Sequence, residues 1–195
     1  ETGEPSHCIT ALRSYLFPEP DIKCPPTDLL PMTASLSVEK IQDGFAKLSS
    51  GGWVFAKHIA ELDVLEPDYV ATALKFLGTP YLWGGRSSIG LDCSALLQLS
   101  LARAGVVVLR DSDHQQKTLG KDLGWETGKT RAKRGDLLHM HGHCAIALDE
   151  TRVVHATAYT MSVIIEETAA LEKRVIEQSG KGITGRRRPN FANKP

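Results

Sequence analysis

Cys93 stands between a glycine-rich stretch, "WGGRSSIG", and an apolar helical run, "LDCSALLQLSLARAG". A helix start presents partial positive charge and backbone N–H groups without intrahelical partners. Both favour a thiolate, and the same N–H groups can hold a developing oxyanion. The flanking glycines let the backbone come close to a bound substrate. The position also suits a cysteine buried as a small hydrophobe. A nucleophilic cysteine needs a base and a group that orients the base. His143 opens the strand-like run "HCAIAL" and His155 ends the next, "RVVHAT". Two antiparallel strands joined near "LDETR" would bring these rings together across the ladder. The alternative for His155 is a solvated strand-end residue.

Metal chemistry competes for His143. "HMHGHC" places His139, His141 and His143 at alternate positions, and in an extended strand all three would share one face, as metal ligands do. Gly142 argues instead for a turn or bulge between His141 and His143. No motif places a further acidic residue or histidine to complete a ligand set. Neither a metal nor a cofactor is therefore expected, and His139 and His141 are assigned to a loop or pocket rim. The "RGD" at 134–136 falls at a strand start and is taken as chance.

The elements that must carry these residues are legible as periodicities. "EPDYVATALKFLGTP" reads as a helix with Pro67 at its start, Val70, Leu74 and Leu77 as its apolar stripe, and Gly78 and Pro80 at its end. The Cys93 helix has Asp92 at its start and Gly105 past its end. "DSDHQQKTL" carries a capping pattern, Ser112 with Gln115 three residues on. Four strand-like runs follow, "GDLLHM", "HCAIAL", "RVVHAT" and "MSVIIE", then a helix in "EETAALEKRVIEQSG". Helices followed by a meander of strands indicate α+β rather than a parallel fold.

The composition shifts near residue 65, so two domains are expected, 1–65 and 66–195. In the first, "SLSVEKIQDGFAKLSSGGWVFAKHI" reads as three short strands joined by "QDG" and "SSGG" turns, as in a small β-barrel. Lys+Arg and Asp+Glu are both 23, so net charge supplies no reason to expect nucleic acid or an anionic membrane as partner. No apolar run approaches the roughly 18 residues of a membrane span. Cys8 and Cys24 either bridge in an oxidising compartment or remain thiols. The start "ETG" reads as an appended or processed end.

Two longer patterns carry a family resemblance. "GTPYLWGGRSSIGLDCSALLQLSLARAG" resembles the nucleophile segment of the NlpC-type cell-wall cysteine peptidases. "RGDLLHMHGHCAIALDETRVVHA" resembles their second segment, in which a strand-borne His follows a Gly-Asp start and a second His comes a strand later. The first 65 residues, "GGWVFAKHI" above all, resemble the bacterial SH3-like domains that precede this domain in one subgroup. The resemblance implies an α+β, papain-like cysteine peptidase domain, helices packed on an antiparallel sheet, preceded by a small SH3-like β-barrel. It implies Cys93 as nucleophile, His143 as base, His155 as orienting group and Tyr81 of "PYLWGG" at the oxyanion site.

Asp92, Ser94 and Ser112 match positions lining a pocket for an amino-terminal L-alanine, with helix capping as the alternative role for Asp92 and Ser112. Arg86 would meet a substrate carboxylate or be solvated. The implied substrates are peptidoglycan stem peptides or muropeptides, cut between γ-D-glutamate and the diamino acid. A related amidase or acyltransferase, or an inactive wall-binding module, is the alternative. A secreted or envelope location is preferred over cytoplasmic recycling. Two positions depart from the family pattern, Ala95 for a common Gly and Cys144 for a common Val. The subgroup's further upstream SH3-like domain has no counterpart in these residues, so it is expected either to have been removed or to leave specificity looser.

Overall fold

The computed structural model describes residues 3–190; Glu1 and Thr2 of the "ETG" start and residues 191–195 lie outside them. The chain divides into two compact units, 1–65 and 66–195.

The first unit is all strand apart from one short 3-10 turn. It comprises β1 (His7–Ile9), β2 (Arg13–Phe17), β3 (Asp28–Pro31), β4 (Ser35–Leu36), β5 (Val38–Gln42), β6 (Phe45–Leu48), β7 (Trp53–Phe55) and β8 (Ile59–Glu61). The three strands expected from sequence are β5, β6 and β7. The "QDG" turn is built by Asp43 (φ 51°) and Gly44 (φ 79°), the pair of positive φ angles that a two-residue hairpin loop needs. The strands form two sheets, β4-β1-β8 and β3-β2-β7-β6-β5, and no single closed barrel among the described residues. The strands of the expected barrel are thus divided between two sheets, and the chain changes sheet at Ser37, between β4 and β5. Ile9, Leu36, Leu48 and Val54 are buried together between them. Cys8 and Cys24 are both thiols.

The second unit is α+β. Its elements are α1 (Tyr69–Leu74), β9 (Arg86–Ser87), β10 (Gly90–Leu91), α2 (Cys93–Arg103), α3 (Ser112–Thr118), β11 (Lys121–Asp122), β12 (Leu137–Met140), β13 (His143–Ala147), β14 (Arg152–Thr157), β15 (Ser162–Glu167), α4 (Thr168–Ser179) and β16 (Gly185–Arg188). Six strands make one antiparallel sheet in the order β11-β16-β12-β13-β14-β15. Leu138, Met140, Ala145, Ala147 and Val153 give this sheet an apolar face, on which Leu171 and Val175 of α4 pack. Alternation turns Cys144 and Ile146 to the other face.

Two local expectations are corrected. The first helix is short: Asp68 caps it by accepting from Ala71 N, so Pro67 precedes the cap, and the helix ends at Leu74. Val70 and Ala73 of the helix and Phe76 beyond it are buried, whereas Leu77 is 45% exposed. The stripe read from Leu74 and Leu77 continues a helix that the structure stops, and Phe76 turns inward after that stop. In α3 the Ser112–Gln115 capping box does not form. Asp111 is the N-cap, and Gln115 is buried with its amide directed at α2. Gln115 Nε2 donates to Ser94 O at 3.0 Å and to Leu109 O at 2.8 Å. The buried Gln115 amide finds its acceptors in these two backbone carbonyls rather than in a local cap, since a buried donor left unpaired is costly.

The "RGD" residues are structural. Asp136 is fully buried and accepts from Arg188 Nε at 2.7 Å and Nη2 at 3.0 Å, while Arg134 pairs with Asp68 at 2.8 Å.

Candidate active site

The loop before α2 turns tightly because Gly85 packs directly on the next strand. A Cβ at Gly85 would lie 2.5 Å from Gly90 O, so no side chain fits there. This brings Gly84 N to within 2.9 Å of Asp92 Oδ2. Asp92 is also the N-cap of α2, accepting from Ala95 N at 2.9 Å and from Ser94 Oγ at 3.0 Å. Cys93 thus occupies the first helical position, 6% exposed.

His143 begins β13 immediately after the His141-Gly142 turn, with Met140 opposite it. Gly142 takes φ 66°, which breaks the strand and separates the three histidines. His139 pairs with Cys144 in the ladder and is fully buried, His141 is exposed in the turn, and only His143 faces His155. The sequence expectation put His139 in a loop or at a pocket rim. It lies instead inside the sheet, because β12 continues through it to Met140. No group of His, Cys, Asp and Glu suited to a metal is present among the described residues.

His143 Nε2 lies 2.7 Å from His155 Nδ1. Ala147 faces Val153 in the register, so His143 and His155 project from the same face of neighbouring strands. His155 is fully buried, not a solvated strand end. Its Nε2 is 2.8 Å from Glu166 Oε1, a close contact whose alignment falls short of a good ring N–H hydrogen bond. Glu166 in turn accepts from both terminal nitrogens of Arg174, one at 2.9 Å. Burial alone would raise the Glu166 carboxyl; the Arg174 hydrogen bonds and the close His155 ring outweigh it and hold it at about 2.

The Cys93 thiol is held well below the ordinary cysteine range. The largest cause is the adjacent Cys144 side chain, opposed by burial and reinforced by the contact and charge of His143. Cys144 shows the opposite behaviour: burial, then contact with Cys93, pushes its thiol well up. One sulfur is thereby favoured as thiolate and its neighbour as a neutral thiol, whose S–H is directed at Gln115 Oε1, 3.8 Å away.

Tyr81, Asp92, Ser94 and Ser112 join Cys93 around one cavity of about 430 Å³, together with Trp83, Arg110 and Asp111. Burial, then the charge of Cys93, raises the Tyr81 hydroxyl pKa, so it remains a donor. Arg110 was not singled out in the sequence. It grips Asp92 bidentately, at 3.0 and 2.5 Å, and reaches Ser94 Oγ at 2.6 Å. Burial would raise the Asp92 carboxyl, but Arg110 and three further donors hold it low. Asp111, its side chain 67% exposed, is the carboxylate of this cavity that faces solvent. Arg86 is exposed on β9 and is not part of the cavity lining. A second cavity of about 380 Å³ shares Tyr81 and Gly142 and is lined by His143, Tyr159, Arg174 and Gln178.

Glu166 and Arg174 were also missed. The alternation of "SVIIEE" puts Glu166 on one face with Ile164, but only the register, His155 opposite Ile164, brings it beside the histidine.

The second unit is thus an α+β unit with a cysteine at a helix start and two strand-borne histidines on an antiparallel sheet. The sequence model of the NlpC/P60 family matches residues 78–179, more than half of the chain, and the chain belongs to that family. Among its relatives is dipeptidyl-peptidase 6 of Lysinibacillus sphaericus, 36% identical over 102 residues, which are 52% of this chain and 36% of that protein. A gamma-D-glutamyl-L-lysine dipeptidyl-peptidase of Bacillus cereus is 30% identical over 106 residues, 50% of this chain and 30% of that protein. The chain thus spans about a third of the length of these relatives. The crystal structure of an NlpC/P60 family protein from Bacillus cereus superposes with TM-score 0.72 at 22% identity, over 95% of this chain and 63% of the other. At that identity the likeness concerns the fold.

Proposed function

We propose that the second unit is a papain-like cysteine peptidase that cleaves peptidoglycan stem peptides between γ-D-glutamate and the diamino acid. The observation that carries this reading is the line from Cys93 at the start of α2 to His143 and then, at 2.7 Å, to His155. In this reading the Cys93 thiolate attacks the γ-carbonyl of D-glutamate. The N–H groups at the α2 start and the Tyr81 hydroxyl hold the oxyanion. His143, protonated in the resting ion pair, gives its proton to the leaving amine, and a water activated by the same ring hydrolyses the thioester. The names of the relatives, dipeptidyl-peptidases including one for gamma-D-glutamyl-L-lysine, support the choice of bond.

The cavity containing Asp92, Ser94 and Ser112 would take a free amino-terminal L-alanine. Because Arg110 already matches the charge of Asp92, we assign the ammonium contact to the neighbouring carboxylate of Asp111, with Asp92 holding Arg110 and the helix start. The first unit is read as an SH3-like module. The test is incubation with defined muropeptides followed by mass spectrometry. Cleavage after γ-D-glutamate by the unmutated chain, and none by Cys93→Ala, is expected. Release of any other bond would replace the assignment.

A further inference from the structure

Resting on that reading, we propose that Glu166, clamped by Arg174, is a positioning residue of the catalytic line: it sets which nitrogen of His155 carries the proton and so lets His143 exist as the imidazolium. The geometry is a chain of close contacts across three strands and a helix. His143 Nε2 meets His155 Nδ1 at 2.7 Å. His155 Nε2 meets Glu166 Oε1 at 2.8 Å. Arg174 Nη1 donates to Glu166 Oε2 at 2.9 Å, with Nη2 on Oε1, and its guanidinium lies over the Tyr159 ring, 4.3 Å from the centroid. His155 is wholly buried, and the side chains of Glu166 and Arg174 are 14% and 16% exposed, so water competes little for these contacts.

The proton count decides the role. An imidazolium at His143 has N–H on both nitrogens. One faces Cys93, and the other must find an acceptor at His155 Nδ1. That atom accepts only if the His155 proton sits on Nε2. A neutral imidazole has no strong internal preference that would guarantee this, and the opposite tautomer would set two N–H groups against each other at 2.7 Å. A carboxylate beside Nε2 selects the productive tautomer, since it accepts and never donates. Arg174 keeps that carboxylate ionised and stops it turning away, and Tyr159 in turn holds the guanidinium. The charged and titratable groups around His155 are therefore His143 from β13, Glu166 from β15 and Arg174 from α4. His139, equally buried in the same sheet, has no carboxylate within ion-pair distance among the described residues, whereas Glu166 Oε1 lies 2.8 Å from His155 Nε2.

The test is Glu166→Gln, which keeps the shape but can donate as well as accept. Its kcat/KM is expected to fall at least about 10-fold, the scale on which orienting partners usually act. The pH midpoint for iodoacetamide labelling of Cys93 is expected to move up, because the thiolate loses part of its imidazolium partner. Glu166→Asp should recover part of both. A merely structural carboxylate would lower Tm and leave the labelling midpoint of the folded protein where it was; that result, or unchanged kcat/KM, overturns the proposal. Nitrogen NMR of the histidine rings in the unmutated chain covers the case in which the variant does not fold. Protonation of His155 at Nε2 supports the proposal, and protonation at Nδ1 overturns it. Cys93→Ala and His143→Ala measured alongside separate this outcome from failure of the peptidase reading, because only the latter predicts cleavage that survives both.

Discussion

His143 Nε2 and His155 Nδ1 lie 2.7 Å apart although twelve positions separate them in the chain. The distance is fixed by the β13–β14 register, and the burial of His155 leaves it unable to trade its neighbour for water. His143 is thereby held at one edge of a fixed line that begins at Cys93.

The depressed Cys93 thiol predicts selective chemistry. Iodoacetamide at about pH 6 should label Cys93 well before Cys8, Cys24 or Cys144, because the thiolate is the reactive form. Cys144 should be the slowest, being fully buried with its pKa raised. Peptide mapping of the labelled chain reads the order, and equal labelling of all four would remove Cys93 from the nucleophile role.

Turnover should depend on one histidine of the cluster. His143→Ala is expected to lower kcat by at least about 100-fold, the usual worth of a general acid–base group. His141→Ala, in the exposed turn, should change it by far less, and EDTA should have no effect. Activity lost on chelation and restored by zinc would favour the metal chemistry instead.

His139 should make the fold sensitive to acid. Burial, then the charge of Arg187, pushes its pKa down to about 4, against an ordinary value of about 6.5. Between these values the unfolded chain binds a proton that the folded chain does not, so stability falls as the pH drops from about 6.5 to about 4. The full loss is about 3 kcal/mol. In His139→Leu this part of the slope should vanish. Urea unfolding at about pH 7 and about pH 4.5 measures it, and an identical slope in both proteins would contradict the assignment.

Substrate choice tests the cavity beside Cys93. The free tripeptide L-Ala-γ-D-Glu-diamino acid should be cut faster than its N-acetylated form, since acetylation leaves a carboxylate without its ammonium. Asp111→Asn should narrow that margin and leave Cys93 labelling intact. Asp92→Asn should disturb both, because it releases Arg110 and weakens the α2 cap. Equal initial rates on the two peptides by the unmutated chain would end the pocket assignment while leaving the peptidase reading in place.

The early end of α1 at Leu74 predicts a contrast between two adjacent residues that follow it. Phe76 is fully buried and Leu77 is 45% exposed. Phe76→Ala should cost about 3–5 kcal/mol through the cavity it leaves, and Leu77→Ala within about 0.5 kcal/mol. Denaturant midpoints at constant m-value decide it.

Much of this molecule is written in local order. The Cys93 helix with Asp92 before it and Gly105 after it, the four strands from Leu137 to Glu167 and the hairpin at Asp43-Gly44 all follow from periodicity, capping and turn chemistry, which act over a few residues. The Cys–His–His pattern is legible for the same reason, since Cys93 and His143 start their elements and His155 lies within the next strand, all of types that the neighbouring residues dictate. What the sequence left open depends on register and on competition for buried polar atoms. Glu166 meets His155 only because Ile164 pairs opposite it. Arg110 meets Asp92 because a loop eighteen residues later returns to the α2 start. Gln115 abandons a local cap for the carbonyls of Ser94 and Leu109. His139 is drawn into the sheet interior, although its type suggested a rim. For Glu166, Arg110 and Gln115 the cost of leaving a buried polar group unsatisfied, a quantity that exists only once the chain has folded, chooses between local alternatives of similar energy; for His139 the continuation of β12 through it to Met140 decides its place.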